Sequence, residues 1–172
     1  MEKIQAYFIG NSVFSNSSEA YTLYEKSNFG EKSDGKIAYS LAEALFLVEK
    51  QKMQIISKNK PISKEELFNK FKKIDKRINL KYPVFRDLRN KGYIVKTALK
   101  FGADFRVYEK GAKPGKKHSA WIVFADSESN SFNWQEFSSK NRTSHSTKKK
   151  LLLAVVDEEM DVTYYESSWI KM

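Results

Sequence analysis

Three strand-length runs follow one another between Tyr93 and Asp126: YIVKTALKF, DFRVYEK and SAWIVFAD. Alternating polarity and strand-preferring residues, broken only by short polar connections, commit this stretch to a β-sheet. The longest connection, EKGAKPGKK, is basic and holds both glycine and proline. It joins a tyrosine that ends one strand, Tyr108, to a histidine that opens the next, His118. Further on, HSTKKKLLLAVVD sets three lysines directly before another apolar strand, and DVTYYE follows after a turn. Ends of strands in one small sheet can bring Tyr, His and Lys side chains together.

Upstream the pattern is mixed. The first 30 residues read as short strands and turns, with alternation in IQAYFI, a turn at Gly10-Asn11 and further turn signals at Gly30 and Ser33–Gly35. Ser40 with Glu43 three residues on is a capping box that opens the helix LAEALFLVEK, whose Leu41, Ala44, Leu45 and Val48 share one face. MQIIS then reads as a strand. A second box, Ser63 with Glu66, opens a helix through LFNKFKKID. Pro83 is expected in the first turn of a third helix, VFRDLRNKG, which stops at Gly92. Between the strands, NWQEFSSKNRT has helix potential. The fold class is α/β (α+β), with a small mixed N-terminal domain over 1–80 and an α/β C-terminal domain over 81–172.

Composition narrows the partners. The 172 residues are 41% hydrophobic and 14% aromatic, enough to bury a real core. No apolar run approaches the roughly 20 residues needed to span a bilayer. The N-terminus has no signal-peptide architecture. With no cysteine there is neither a disulfide framework nor a thiolate metal site. These features predict a soluble, cytoplasmic protein. The net charge of +10 is concentrated: residues 61–100 carry 12 basic and 4 acidic side chains, while both flanks are nearly balanced. Such a stretch is the electrostatic footprint expected for a phosphate backbone.

RNA can be cut without a metal if three groups meet. A base takes the ribose 2′-OH proton, an acid protonates the leaving 5′-oxygen, and a cation stabilises the phosphorane. Imidazole titrates near neutrality and suits the acid. Lysine is a good point charge for phosphate oxygens. A phenol, with a reference pKa of about 10, needs cationic neighbours to serve as base, and Lys110, Lys113, Lys116 and Lys117 lie close by in sequence.

The run YPVFRDLRNKGYIVKTALKFGADFRVYEKG, then HSAWIV, then SHSTKKKLLLAVVDEEMDVTYYE resembles the archaeal tRNA-splicing endonuclease family, as does the N-terminal SLAEALFLVEK. The resemblance covers most of the chain, with several separated motifs in order. It implies a restriction-endonuclease-like C-terminal nuclease domain. It also implies cleavage of precursor tRNA at bulge-helix-bulge intron junctions, leaving a 2′,3′-cyclic phosphate and a 5′-hydroxyl, with no metal and no cofactor. Carried over residue by residue, it makes Tyr108 the general base and His118 the general acid. The phosphorane-stabilising lysine, counted as Ser-x-x-Lys from Ser146, falls on Lys149; the three consecutive lysines leave Lys148 and Lys150 as alternatives. Arg142, seven residues earlier, takes the place of one of two side chains that grip a bulge base, and Trp169 stands for the second, where no arginine is found. Asp157, Glu158, Glu159 and Asp161 match an acidic loop that docks into a neighbouring subunit. The implied assembly is a homotetramer, or a heterotetramer with a homologous structural subunit.

Taken singly, each of these residues has an ordinary explanation. A tyrosine ending a strand is usually a packed aromatic, a histidine at a strand start is usually on the surface, and a lysine run is usually solvated. Phe105, Val107, Trp121, Val123, Leu151, Leu153 and Val155 read as core. The competing function is a non-catalytic RNA-binding or structural subunit of the same complex. A metal-dependent DNA nuclease is disfavoured, because clustered carboxylates would be needed and no Asp/Glu–Lys metal motif stands out.

Overall fold

The computed structural model describes residues 2–170 and Met172, in two compact units that meet in sequence at Tyr82 and Pro83. The architecture is mixed α/β, with one mixed sheet in each unit.

The first unit is built on strands β1 (Ile4–Ile9), β2 (Ser12–Ser15), β3 (Glu31–Ser33), β4 (Lys36–Tyr39), β5 (Met53–Ser57) and β6 (Lys60–Pro61), in the order β3-β4-β2-β1-β5-β6. Only β1 and β5 run parallel among these pairs. Alternation decides which side chains point inward: Ile4 and Ala6 of β1 and Met53 and Ile55 of β5 are buried. Asp34 and Gly35 turn the β3–β4 hairpin with φ of 46° and 70°, the left-handed pair that a two-residue turn requires.

Three helices accompany this sheet. Helix α1 (Ser18–Ser27) stands where the sequence reads as strand and turn. It is capped by Ser17, whose side chain accepts from Ala20 N–H, and closed by Asn28 in the left-handed region. Tyr21, Thr22 and Tyr24 lower its helix propensity, and the caps and the burial of Ala20 and Leu23 override it. Helix α2 (Leu41–Glu49) has the full capping box at Ser40 and Glu43. Rather than burying one face, it buries every residue from Ala42 to Leu47. Glu43 is buried too, and its carboxylate accepts from Gly30 N–H and Ser40 N–H at 3.0 Å each. Gly30 has φ of +75°, and a Cβ there would lie 2.3 Å from Ile37 Cγ2 and 2.9 Å from the Ala38 carbonyl, so no larger residue fits. Helix α3 (Lys64–Ile74) begins at Ser63, which accepts from Glu66 N–H at 3.1 Å, and buries Leu67 and Phe71.

Helix α4 (Ile78–Asn90) starts earlier than Pro83 would suggest. Pro83 lies inside it rather than in its first turn. The Asp75 carboxylate accepts from Arg77 N–H at 2.9 Å and its carbonyl from Ile78 N–H at 3.1 Å, and Arg77 O accepts the first helical bond, from Lys81 N–H at 3.0 Å. Pro83 therefore costs the helix one i→i−4 bond in mid-course. Burial opposes ionisation of Asp75, but the Lys81 ammonium at 2.7 Å and the Arg77 N–H prevail and hold its carboxyl below the usual range.

The second unit is a five-stranded sheet in the order β11-β10-β9-β8-β7, from β7 (Ile94–Ala98), β8 (Ala103–Tyr108), β9 (Trp121–Ser127), β10 (Lys150–Val156) and β11 (Val162–Ser167). Its parallel pair is β9 with β10, joined through helix α5 (Trp134–Ser146). One face packs Ala98, Ala103, Ile122, Phe124 and Leu151 with Phe101, Phe137 and Leu153. On the other, Phe85 of α4 meets Phe105 at 5.8 Å between ring centroids, and the Tyr164 hydroxyl donates to Asp87 at 2.8 Å. Burial, then the Asp87 hydrogen bond and its charge, push the Tyr164 phenol well above its ordinary value. Phe105, Val107, Val123 and Leu151 are buried as the sequence predicts, whereas Trp121, Leu153 and Val155 are half-buried. Among the described residues, no helix is long and apolar enough to cross a membrane.

Candidate active site

Tyr108 is the last residue of β8, paired with Ile94 of β7. It is only 4% exposed, so its ring belongs to the core. The chain then leaves the sheet in a loop that turns twice. Ala112 N–H donates to Glu109 O, and Lys116 and Lys117 N–H both donate to Lys113 O. The loop returns through exposed His118 and buried Ser119, and Ala120 N–H donates to Val107 O at 2.9 Å, which closes it directly beside Tyr108. The loop from Tyr108 to His118 therefore begins and ends at one margin of the sheet.

Lys149 reaches the same margin by another route. Helix α5 is capped by Thr147; Lys148 follows with φ of 55°, its N–H donating to His145 O at 2.9 Å, and Lys149 N–H donates to Ser144 O at 2.9 Å. This pair of bonds is a Schellman ending, with Lys148 in the left-handed position that glycine usually takes. The lysine run is thereby split three ways. Lys148 serves the turn and is exposed. Lys150 opens β10, and its ammonium donates to Glu166 at 2.8 Å. Lys149 lies between them, with Nζ donating to Thr147 O at 2.9 Å and resting 5.7 Å from the Phe101 ring centroid.

A cavity of about 270 Å³ is lined by Tyr108, His118 and Lys149 together, with Phe101, Arg106, Lys116, Lys117 and Ser119 among the other walls. The lining is cationic and contains no carboxylate. Its lining therefore favours an anion, held among a phenol, an imidazole and fixed ammonium and guanidinium groups. Of the lysines flanking Tyr108 in sequence, Lys116 and Lys117 join the lining, while Lys110 sits 5.1 Å from the Tyr93 ring.

On the opposite face of the same sheet margin, the Lys150 ammonium and the Trp121 indole both donate to Glu166, at 2.8 and 2.7 Å, and hold its carboxyl below the usual carboxylate range. Pairing of Lys150 with Trp121 in the β9–β10 register keeps both side chains on the face away from Lys149.

Arg142 and Trp169 do not line the cavity. Arg142 is exposed on α5. Trp169 stands edge-on to His145, 4.5 Å between centroids, and Ser167 Oγ bonds Asn141 Oδ1 at 3.2 Å, so the segment after β11 follows the last turns of α5. Asp157, Glu158, Glu159 and Asp161 form the β10–β11 turn: Asp161 N–H donates to Asp157 Oδ1 at 2.8 Å, and Glu158 N–H donates to Glu128 Oε1 at 3.2 Å. Glu158, Glu159 and Asp161 are exposed.

Phe101 and Arg106 are among the wall residues not singled out by the sequence. Arg106 has a signal: it is two residues before Tyr108 in a strand, hence on the same face. Phe101 has none, because it belongs to the short 3₁₀ turn Leu99–Phe101 that carries β7 into β8.

Comparison with known proteins matches the chain in both halves. The family model of the tRNA intron endonuclease catalytic C-terminal domain matches residues 78–164, and that of the tRNA intron endonuclease N-terminal domain matches residues 4–68. The chain is similar to the tRNA-splicing endonuclease of Thermococcus onnurineus, 40% identical over 99% of this chain and 98% of the relative. Those of Thermococcus kodakarensis and Methanothermobacter thermautotrophicus are 39% identical over 96% of this chain and 97% of the relative, and 41% identical over 88% of each.

Proposed function

The chain belongs to the tRNA intron endonuclease family of enzymes, and on that premise we propose that it cleaves precursor tRNA at bulge-helix-bulge intron junctions by metal-independent transesterification. Tyr108 takes the proton of the ribose 2′-OH as that oxygen bonds to the adjacent phosphorus. His118 gives a proton to the 5′-oxygen as the P–O5′ bond breaks. Lys149 balances the charge of the phosphorane between these events. The products are a 2′,3′-cyclic phosphate and a 5′-hydroxyl.

The observation that carries this reading is the cationic cavity lined by Tyr108, His118 and Lys149 together. A merely RNA-binding subunit has no need to gather a phenol, an imidazole and an ammonium around one cavity. The local joints favour Lys149 over its neighbours, since Lys150 is paired with Glu166 and Lys148 shapes the turn.

The described residues of each chain form one such cavity and the junction has two bulges, so the active form pairs copies, as a homotetramer or with a homologous structural subunit. The exposed acidic turn of Glu158, Glu159 and Asp161, shaped by Asp157, is the docking loop in that assembly. Arg142 and Trp169, on and beside α5, grip a bulge base. The test is cleavage of a minimal bulge-helix-bulge RNA by the purified chain in EDTA, with end-group analysis. Cyclic-phosphate and 5′-hydroxyl ends support the reaction; a strict divalent-metal requirement, or 5′-phosphate ends, removes it.

A further inference from the structure

The cavity holds a second fixed cation that the three-residue scheme leaves without a task. Alternation along β8 puts Asp104, Arg106 and Tyr108 on one face, and Arg106 lies opposite Lys96 of β7 and Ile122 of β9. Arg106 is thus held on a central strand, with a neighbour on each side, and half-buried where it lines the cavity. The other cationic walls differ. Lys116 and Lys117 are exposed on the loop that carries His118, and Lys149 is a single ammonium anchored to Thr147 O and the Phe101 ring.

A phosphorane presents two non-bridging oxygens, and the one anchored ammonium faces this space as a point charge. A guanidinium is planar, stays charged at any working pH, and offers parallel N–H donors that match phosphate oxygens. Charge placed in a half-buried wall also acts in a lower dielectric than charge on an exposed loop.

We propose that Arg106 is a further catalytic residue, donating to a non-bridging oxygen of the scissile phosphate while Lys149 serves the other. This rests on the transesterification reading above. No covalent step is added: the same bond forms and the same bond breaks, with the guanidinium unchanged.

The test is single-turnover cleavage by full-length Arg106→Gln and Arg106→Lys, using substrates with oxygen or with sulfur at each non-bridging position of the scissile phosphate. Arg106→Gln is expected to slow the oxygen substrate by about 10²-fold, the scale of losing one oriented donor to transition-state charge, with RNA affinity little changed. Sulfur at the oxygen that Arg106 contacts slows the unsubstituted protein, and that penalty shrinks in Arg106→Gln. Arg106→Lys keeps the fold and part of the rate, so the thio comparison can be made even where the Gln variant is unstable. Oxygen-substrate rates equal to the unsubstituted protein, or an undiminished thio penalty in both variants, would overturn the assignment. If Arg106 variants cleave normally while His118→Ala does not, this inference alone fails; if the unsubstituted protein forms no cyclic phosphate, the underlying reading fails first.

Discussion

The two units contain the same joint and use it differently. In the first, α2 opens on a capping box at Ser40 and Glu43 and is followed past its cap by Gln51 at φ of 55°. There Gln51 N–H donates to Val48 O and Lys52 N–H to Leu47 O, and β5 begins at Met53. In the second, α5 opens on a box at Asn133 and Glu136, is followed past its cap by Lys148 at φ of 55°, and repeats both bonds with Lys148 and Lys149 before β10. Both strands then enter a parallel pair. A lysine follows the left-handed residue in each case, but Lys52 is exposed whereas Lys149 lines the cavity. The helix–turn–strand joint is therefore a structural device that delivers a lysine to a sheet margin. Chemistry depends on what else stands at that margin, and only in the second unit is it the end of β8, the His118 loop and Phe101.

The sharpest break in this comparison would come from the two lysines. Lys149→Gln is expected to reduce single-turnover cleavage by about 10²–10³-fold, the range for lost transition-state charge stabilisation, while Lys52→Gln leaves it unchanged. Comparable losses at both would mean the joint itself, not its setting, carries the effect.

The helices separate along a different axis. Leu45→Ala in buried α2 should cost about 2–5 kcal/mol in urea denaturation. Ser138→Ala on the exposed side of α5 should stay within about 0.5 kcal/mol. A large loss at Ser138 would contradict the polar, lightly buried character of α5.

Smaller effects are expected at the turns. Lys148→Gly and Gln51→Gly should each raise thermal stability, since a non-glycine residue in the left-handed region costs roughly 1–2 kcal/mol before chain entropy offsets part of it. Lys148→Gly should also cleave RNA normally; a loss of activity there would return Lys148 to candidacy as the phosphorane partner.

The least effect lies in alkaline stability. The Tyr164 phenol is held above its unfolded value, so its contribution is complete below about pH 10 and is lost as pH rises towards the folded value. The urea midpoint should fall as pH rises above about 10, and less steeply in Tyr164→Phe. Tyr39 in the first unit, raised by burial and by the Glu43 charge, should leave a residual slope that Tyr39→Phe removes.

What can be read from the chain alone follows the reach of each local signal. The Ser40–Glu43 box and the alternation in DFRVYEK act over a few residues, and the helix and strand they announce are present. Helix α1 is hidden because Tyr21, Thr22 and Tyr24 speak for strand, while its support comes from caps and tertiary burial. Pro83 misleads because a proline-start rule cannot see that the helix is already under way at Ile78, with Lys81 N–H donating to Arg77 O. The lysine register stays open for a similar reason: with Lys148 in the place of glycine, nothing in KKK marks the Schellman ending that aims Lys149. Arg106 shares a face with Tyr108 by simple alternation, but its standing at the cavity depends on a loop that closes only after His118.

The general-acid role of His118 is the centre of this account, and a substrate with sulfur in place of the leaving 5′-oxygen tests it most directly. Sulfur departs without being protonated. On the ordinary substrate, His118→Ala should lose about 10²–10⁴-fold in rate, with unchanged melting temperature and RNA affinity. On the sulfur substrate its rate should recover to near that of the unsubstituted protein. Equal impairment on both substrates would contradict proton donation by His118 and return the cavity to a binding role.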